Sequence, residues 1–130
     1  MYAAFAVLLA SGGVWLLVRL RSDALDDKFW SALSANLLMI HGGVAMITLM
    51  LLGALVPTHL ARSWRARRNR IAGVTMAACN VALIVTAFGL YYSGSDAVRP
   101  ILSEIHWIVG LAFPVLLMIH IVIGRRVRPA

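Results

Sequence analysis

Four histidines lie within or at the edges of long apolar runs: His41, His59, His106 and His120. His106 and His120 bracket the segment HWIVGLAFPVLLMIH, inside an apolar run over residues 101–123. They stand fourteen residues apart, nearly four helical turns, so both rings leave about the same face, about 21 Å apart along the axis. Such a run is long enough to cross a hydrocarbon layer about 30 Å thick, with one ring near each surface. His41 and His59 are eighteen residues apart, five turns, and share a face about 27 Å long if their helix is straight. An ionisable residue inside a hydrocarbon span is costly and is a functional hypothesis by default. Neutral imidazoles placed near both surfaces suit axial ligation of two stacked haem irons.

Those histidines need helices to carry them, and the composition says what kind. The chain has 130 residues, 62% hydrophobic and only 13% charged. A soluble domain is nearer half apolar and a quarter charged. The fold predicted is all-α, an integral membrane four-helix bundle in one domain, 1–130. Its spans fall at about 2–20, 32–60, 71–93 and 101–124. A cleaved leader is the rival for the first span. However, only Met1 precedes its apolar run, and Ser22-Asp23-Ala24 is a poor cleavage site, so a retained helix is expected. The net charge of +7 comes from short tracts flanking the apolar runs. That pattern belongs to topology signals and contact with anionic membrane lipid, not to nucleic acid. The lone Cys79 sits in an apolar run and cannot form an intrachain disulfide. No thiolate set supports an iron–sulfur cluster or structural zinc.

Four spans put both termini on one side. That side also holds the second loop, so Arg62, Arg65, Arg67, Arg68 and Arg70 share it with Arg125, Arg126 and Arg128, and no acid faces them. The opposite side carries Arg19, Arg21, Lys28 and Arg99 against all five acids, with Asp23, Asp26 and Asp27 ahead of the second helix, where they favour its positive end; Arg19 and Arg21 run against the charge rule but are outnumbered. The positive-inside rule makes the arginine-rich side, and both termini, cytoplasmic. Spans two and four then run in the same direction. This pairs His41 with His106 near the outer surface and His59 with His120 near the inner one, one iron to each pair.

Other residues fit this arrangement. Gly42-Gly43 follow His41, and Gly110 lies one turn beyond His106 on the same face. A porphyrin plane needs bare backbone beside its ligand. Gly12-Gly13 supply small residues in the first span, and Phe113 lies between the levels of His106 and His120. Arg62, Arg65 and Arg125 are placed to pair with propionates on the inner side, and Arg99 on the outer. Pro57 bends the end of span two, which takes His59 out of the regular helix. The competing structural readings are an interfacial histidine at His59, a packing residue at His120, and a hydrogen-bonded pair at His41 and His106. The glycines compete as helix-packing notches. Cys79 and Asn80 are expected to serve packing and interhelical bonding.

The run TAFGLYYSG, a short charged loop, and then IHWIVGLAFPVLLMIHIVIGRR resemble the small bacterial di-haem cytochrome b superfamily. That group includes the four-helix cytochrome b561 type and the cytochrome b subunits of membrane formate dehydrogenases and nickel-iron hydrogenases. The likeness covers spans two to four, and span one only by hydropathy. It implies ligands at His106 and His120 on span four and at His41 on span two. The family often draws its remaining inner ligand from span one. This chain has no histidine there, and His59 is the only replacement.

The resemblance implies a multi-pass protein of the bacterial inner membrane with two haem b groups, one haem b being the fallback. It would carry electrons between a periplasmic dehydrogenase or cytochrome and the quinone pool, as the membrane subunit of an oxidoreductase complex. Ser103 and Glu104 on the outer side, and Asn80, Thr58 and Arg62 nearer the inner, are the polar groups available to a quinone. The competing functions are a stand-alone quinone-coupled cytochrome b oxidoreductase, a haem-free membrane anchor, and a transporter using a histidine relay.

Overall fold

The computed structural model describes residues 1–22, 28–65 and 70–126, and every long element in it is helical. Helix α1 spans Tyr2–Ser22 and α2 spans Lys28–Leu55. A π-helical turn, Val56–Leu60, leads into the short α3, Ala61–Arg65. Helices α4, Arg70–Tyr92, and α5, Val98–Arg126, complete the chain. Four segments are long and apolar enough to cross a membrane: Tyr2–Arg21, Lys28–His59, Arg70–Tyr92 and Val98–Arg125.

These helices begin and end a few residues away from the apolar runs. Helix α2 starts at Lys28 instead of residue 32, and α5 at Val98 instead of 101. Hydropathy marks where side chains are apolar, whereas the backbone ladder continues through polar flanks that tolerate helical angles. In α5 the first turn absorbs Pro100, because the first helical N–H groups have no intrahelical partner to lose. Asp23, Asp26, Asp27, Arg67, Arg68 and Arg128, to which the sequence assigns charge roles, lie outside the described residues.

The chain divides into two compact units, Met1–Pro57 and Thr58–Ala130. In the first, α1 packs against α2; in the second, α4 packs against α5. The second hairpin is antiparallel, and three facing pairs show it. Gly89 meets Leu102, Thr86 meets His106, and Gly110 meets Leu83. As one number falls the other rises. Its turn is closed by Arg99, whose Nη1 donates to the carbonyls of Leu90 at 2.8 Å and Ser93 at 3.1 Å. These are the orphan acceptors at the C-terminus of α4, where a cation is favoured.

Within each hairpin little is fully buried. Among the described residues only Val18, Phe113, Ser11, Thr48 and Thr86 are buried, and three of these five are hydroxyl residues. Large aliphatic side chains point outward, with Met50 77% and Ile71 85% exposed. Hydroxyls thus make up most of the buried set, while many large aliphatic side chains face the surround, unlike a soluble core.

Close packing in the second hairpin rests on Gly89. A Cβ added there would lie 2.6 Å from Leu102 Cδ1, whereas one at Gly73 meets nothing within 4 Å. Gly89→Val is expected to destabilise the protein by about 1–3 kcal/mol through overpacking. Gly73→Ala is expected to be neutral or to stabilise by up to about 1 kcal/mol through helix propensity. Thermal unfolding in detergent checks both. Adding Leu102→Ala to Gly89→Val should recover part of the loss, because the clash is with that side chain.

Candidate functional site

Each hairpin pairs a histidine on its second helix with a hydroxyl on its first. In the Met1–Pro57 unit, His41 Nδ1 lies 3.0 Å from Ser11 Oγ. In the Thr58–Ala130 unit, His106 Nδ1 lies 2.8 Å from Thr86 Oγ1. Both hydroxyls belong to the small buried set, at 6% and 5% exposure. Both also donate back to their own helix. Ser11 Oγ reaches the Val7 carbonyl at 2.7 Å, and Thr86 Oγ1 reaches that of Ala82 at 2.7 Å. Serine and threonine inside helices commonly back-bond in this way, to the carbonyl four residues earlier.

Glycine makes the first of these contacts possible. A Cβ at Gly12 would sit 3.1 Å from His41 Cε1 and 3.3 Å from Nδ1, so the imidazole lies against the bare backbone of α1. The glycine notch in span one thus receives the histidine ring itself. At Gly13, Gly42 and Gly43 an added Cβ would meet nothing within 4 Å. At Gly110 it would stand 3.8 Å from Leu83, an ordinary packing distance, so this glycine faces α4 as His106 does. His41 is farther along its helix than the apolar run implied. It follows Lys28 by thirteen residues (41 − 28), about 20 Å.

His59 and His120 come together in the second unit. Their ring centroids are 6.4 Å apart, with the ring planes at 71°. His59 is exposed and His120 half-buried. His59 stands in the π-helical turn that follows Leu55. Pro57 has no N–H to offer the ladder, and a π turn spreads the missing bond over a wider loop. The turn is thus loosened, and a residue in it points elsewhere than an α-helical count of eighteen would place it. Pro114 deletes the corresponding bond to Gly110 between the two histidines of α5, which continues unbroken through it. Phe113 beside it is buried at 5% exposure.

His120 Nδ1 is buried without a hydrogen-bond partner. An imidazole nitrogen held that way costs about 1–3 kcal/mol. It is therefore a natural place for a partner that the chain alone does not supply. No group of three or more His, Cys, Asp or Glu forms a metal-type cluster among the described residues. A haem iron asks the protein for only two axial nitrogens, and neutral imidazole is a suitable donor. The residues present are therefore compatible with that group.

The remaining candidates are dispersed. Arg62, Arg65 and Arg125 are exposed. Arg99 is engaged as the cap of α4. Asn80 donates to the Met76 carbonyl of its own helix at 2.8 Å, so its amide N–H bonds within α4. Arg70 lies over the Trp64 ring at 4.9 Å and donates to its carbonyl at 3.0 Å. Ser11 and Thr86 escape sequence reasoning because hydroxyls inside apolar helices are ordinary, and Thr48 and Thr75 look the same in the sequence.

The close approach at Gly12 has a measurable consequence. Gly12→Ala must push the His41 ring by a few tenths of an ångström and weaken its bond to Ser11, which costs about 1 kcal/mol or more. Gly13→Ala, with open space around it, should leave stability unchanged or raised. Comparative melts of the two variants check this.

No protein-family model matches the chain, and neither does any curated protein or solved structure.

Proposed function

We propose that the chain is an integral b-type cytochrome of the bacterial inner membrane, with both termini cytoplasmic. It would be the electron-transfer subunit of an oxidoreductase complex working between a periplasmic dehydrogenase or cytochrome and the quinone pool. His59 and His120 would hold the inner haem, and His41 and His106 the outer one. Bound haem b would supply one-electron redox chemistry near each membrane surface. The residues of the chain do the rest. The four imidazoles offer nitrogen donors, and Ser11 and Thr86 hold two of those rings by Nδ1. Arg62 and Arg125, exposed and not deeply packed, can reach carboxylates at the cytoplasmic end.

One observation supports this reading most. Two imidazoles from separate elements of one unit come into edge contact with each other. His59 and His120 stand 6.4 Å apart. They come from a π turn and a distant helix, with nothing in their spacing along the chain to bring them together. The buried, unpartnered Nδ1 of His120 supports it further.

A haem-free anchor is the second reading. It is favoured by the hydroxyl bonds of His41 and His106, which by themselves give those rings a structural role. The two readings separate on colour. The reduced-minus-oxidised visible spectrum of the purified protein, with haem and protein quantified together, is expected to show low-spin b-type bands and two haems per chain. His59→Ala or His120→Ala should remove one haem and leave the other. His41→Ala or His106→Ala should do the converse. A colourless, well-folded preparation from a haem-replete host would overturn the proposal in favour of the anchor.

A further inference from the structure

We infer that Ser11 and Thr86 are positioning residues that lock His41 and His106 in the Nδ1–H tautomer, so that the lone pair of each ring sits on Nε2. The bonding geometry requires it. Each hydroxyl has one hydrogen and two lone pairs. Ser11 Oγ is 2.7 Å from the Val7 carbonyl oxygen, and Thr86 Oγ1 is 2.7 Å from that of Ala82. Two oxygens that close repel unless a hydrogen lies between them, and a carbonyl has none to give. The hydroxyl hydrogen is therefore committed to the carbonyl in both cases. Second carbonyls, Leu8 at 3.3 Å and Leu83 at 3.1 Å, stand near each hydroxyl, and the Leu8 carbonyl also accepts from the His41 ring. What faces the imidazole is then a hydroxyl lone pair, and the bonds of 3.0 Å and 2.8 Å must be donated by Nδ1–H.

A neutral imidazole carries one N–H, so a proton on Nδ1 makes Nε2 the donor atom toward a metal. A histidine in water prefers the opposite tautomer. The hydroxyl therefore sets both the ring's orientation and its choice of nitrogen. It also polarises the ring. In the chain Nδ1–H···Oγ–H···O=C each bond strengthens the next, which makes Nε2 more basic. The same device occurs once in each unit, with no shared sequence motif around it. The lone pair matters only if Nε2 meets an iron, so this second half of the inference rests on the cytochrome reading. The tautomer itself does not.

The test uses the whole chain in a haem-free preparation, since iron bound at Nε2 would by itself hold the proton on Nδ1, labelled with nitrogen-15 in its imidazoles, with signals assigned by single-histidine substitution. His41 and His106 are expected as Nδ1–H rings. Thr86→Val removes the hydroxyl at nearly constant shape and should release His106 alone into a mixture of tautomers. Ser11→Ala should loosen His41 less than this, because the Leu8 carbonyl still accepts from that ring, and Thr86→Ser should keep the wild-type spectrum. In the haem-loaded protein, Thr86→Val should weaken haem retention about 10–100-fold, the usual cost of losing such an outer partner. It should also raise the midpoint potential of the His106 site, because a less basic ligand stabilises the oxidised iron less.

Either ring found as Nε2–H in the wild type would overturn the inference. So would Thr86→Val leaving both the His106 signal and the potential unmoved. A protein that stays colourless when haem is supplied, and whose two rings are Nδ1–H, would defeat the cytochrome reading while leaving the tautomer lock standing.

Discussion

A buried polar group is costly unless it is hydrogen-bonded, and in each half of this protein one imidazole among apolar helices meets that requirement, at His41 and at His106. An unpaired polar group costs roughly 2–7 kcal/mol on transfer to an apolar surround. Both hairpins meet the requirement alike, with a hydroxyl on the first helix and an imidazole on the second. The buried set reflects it, since three of the five buried residues carry hydroxyls. Interhelical bonds of this kind contribute only about 0.6–2 kcal/mol each. Their weight here comes from how little else is buried, and from the large penalty for leaving them unmade.

Sparse burial explains the use of glycine. Where aliphatic side chains point outward, as at Met50 and Ile71, the helices must be held by close backbone approach and by polar bonds. Gly12 admits the His41 ring against α1, and Gly89 admits Leu102 against α4. Gly42 and Gly43, with open space where a side chain would stand, do neither. Small residues in the same chain thus have different causes, and only the neighbouring atoms distinguish them.

Two prolines beyond the first turn of a helix lie near the remaining histidines. Pro57 removes a donor near the end of α2, and the chain answers with a π turn from which His59 projects toward His120. Pro114 removes a donor toward Gly110, between His106 and His120.

The order of residues determined the elements. Apolar runs of about twenty residues can form little but long helices, so four of them were legible, with ends displaced by a few residues, most of all where the ladder runs on through Lys28–Ser31 and Val98–Pro100. The histidines were legible too, because an imidazole in such a run is conspicuous. The partners were not. Ser11 and Thr86 look like any helix hydroxyl, and Arg99 looks like a loop cation until its guanidinium is found on the carbonyls of Leu90 and Ser93. Which nitrogen a ring presents, which glycine is filled, and whether His59 reaches His120 depend on the rotation of one helix against its neighbour. Helical periodicity gives the face on which a residue lies, and only packing decides what that face meets.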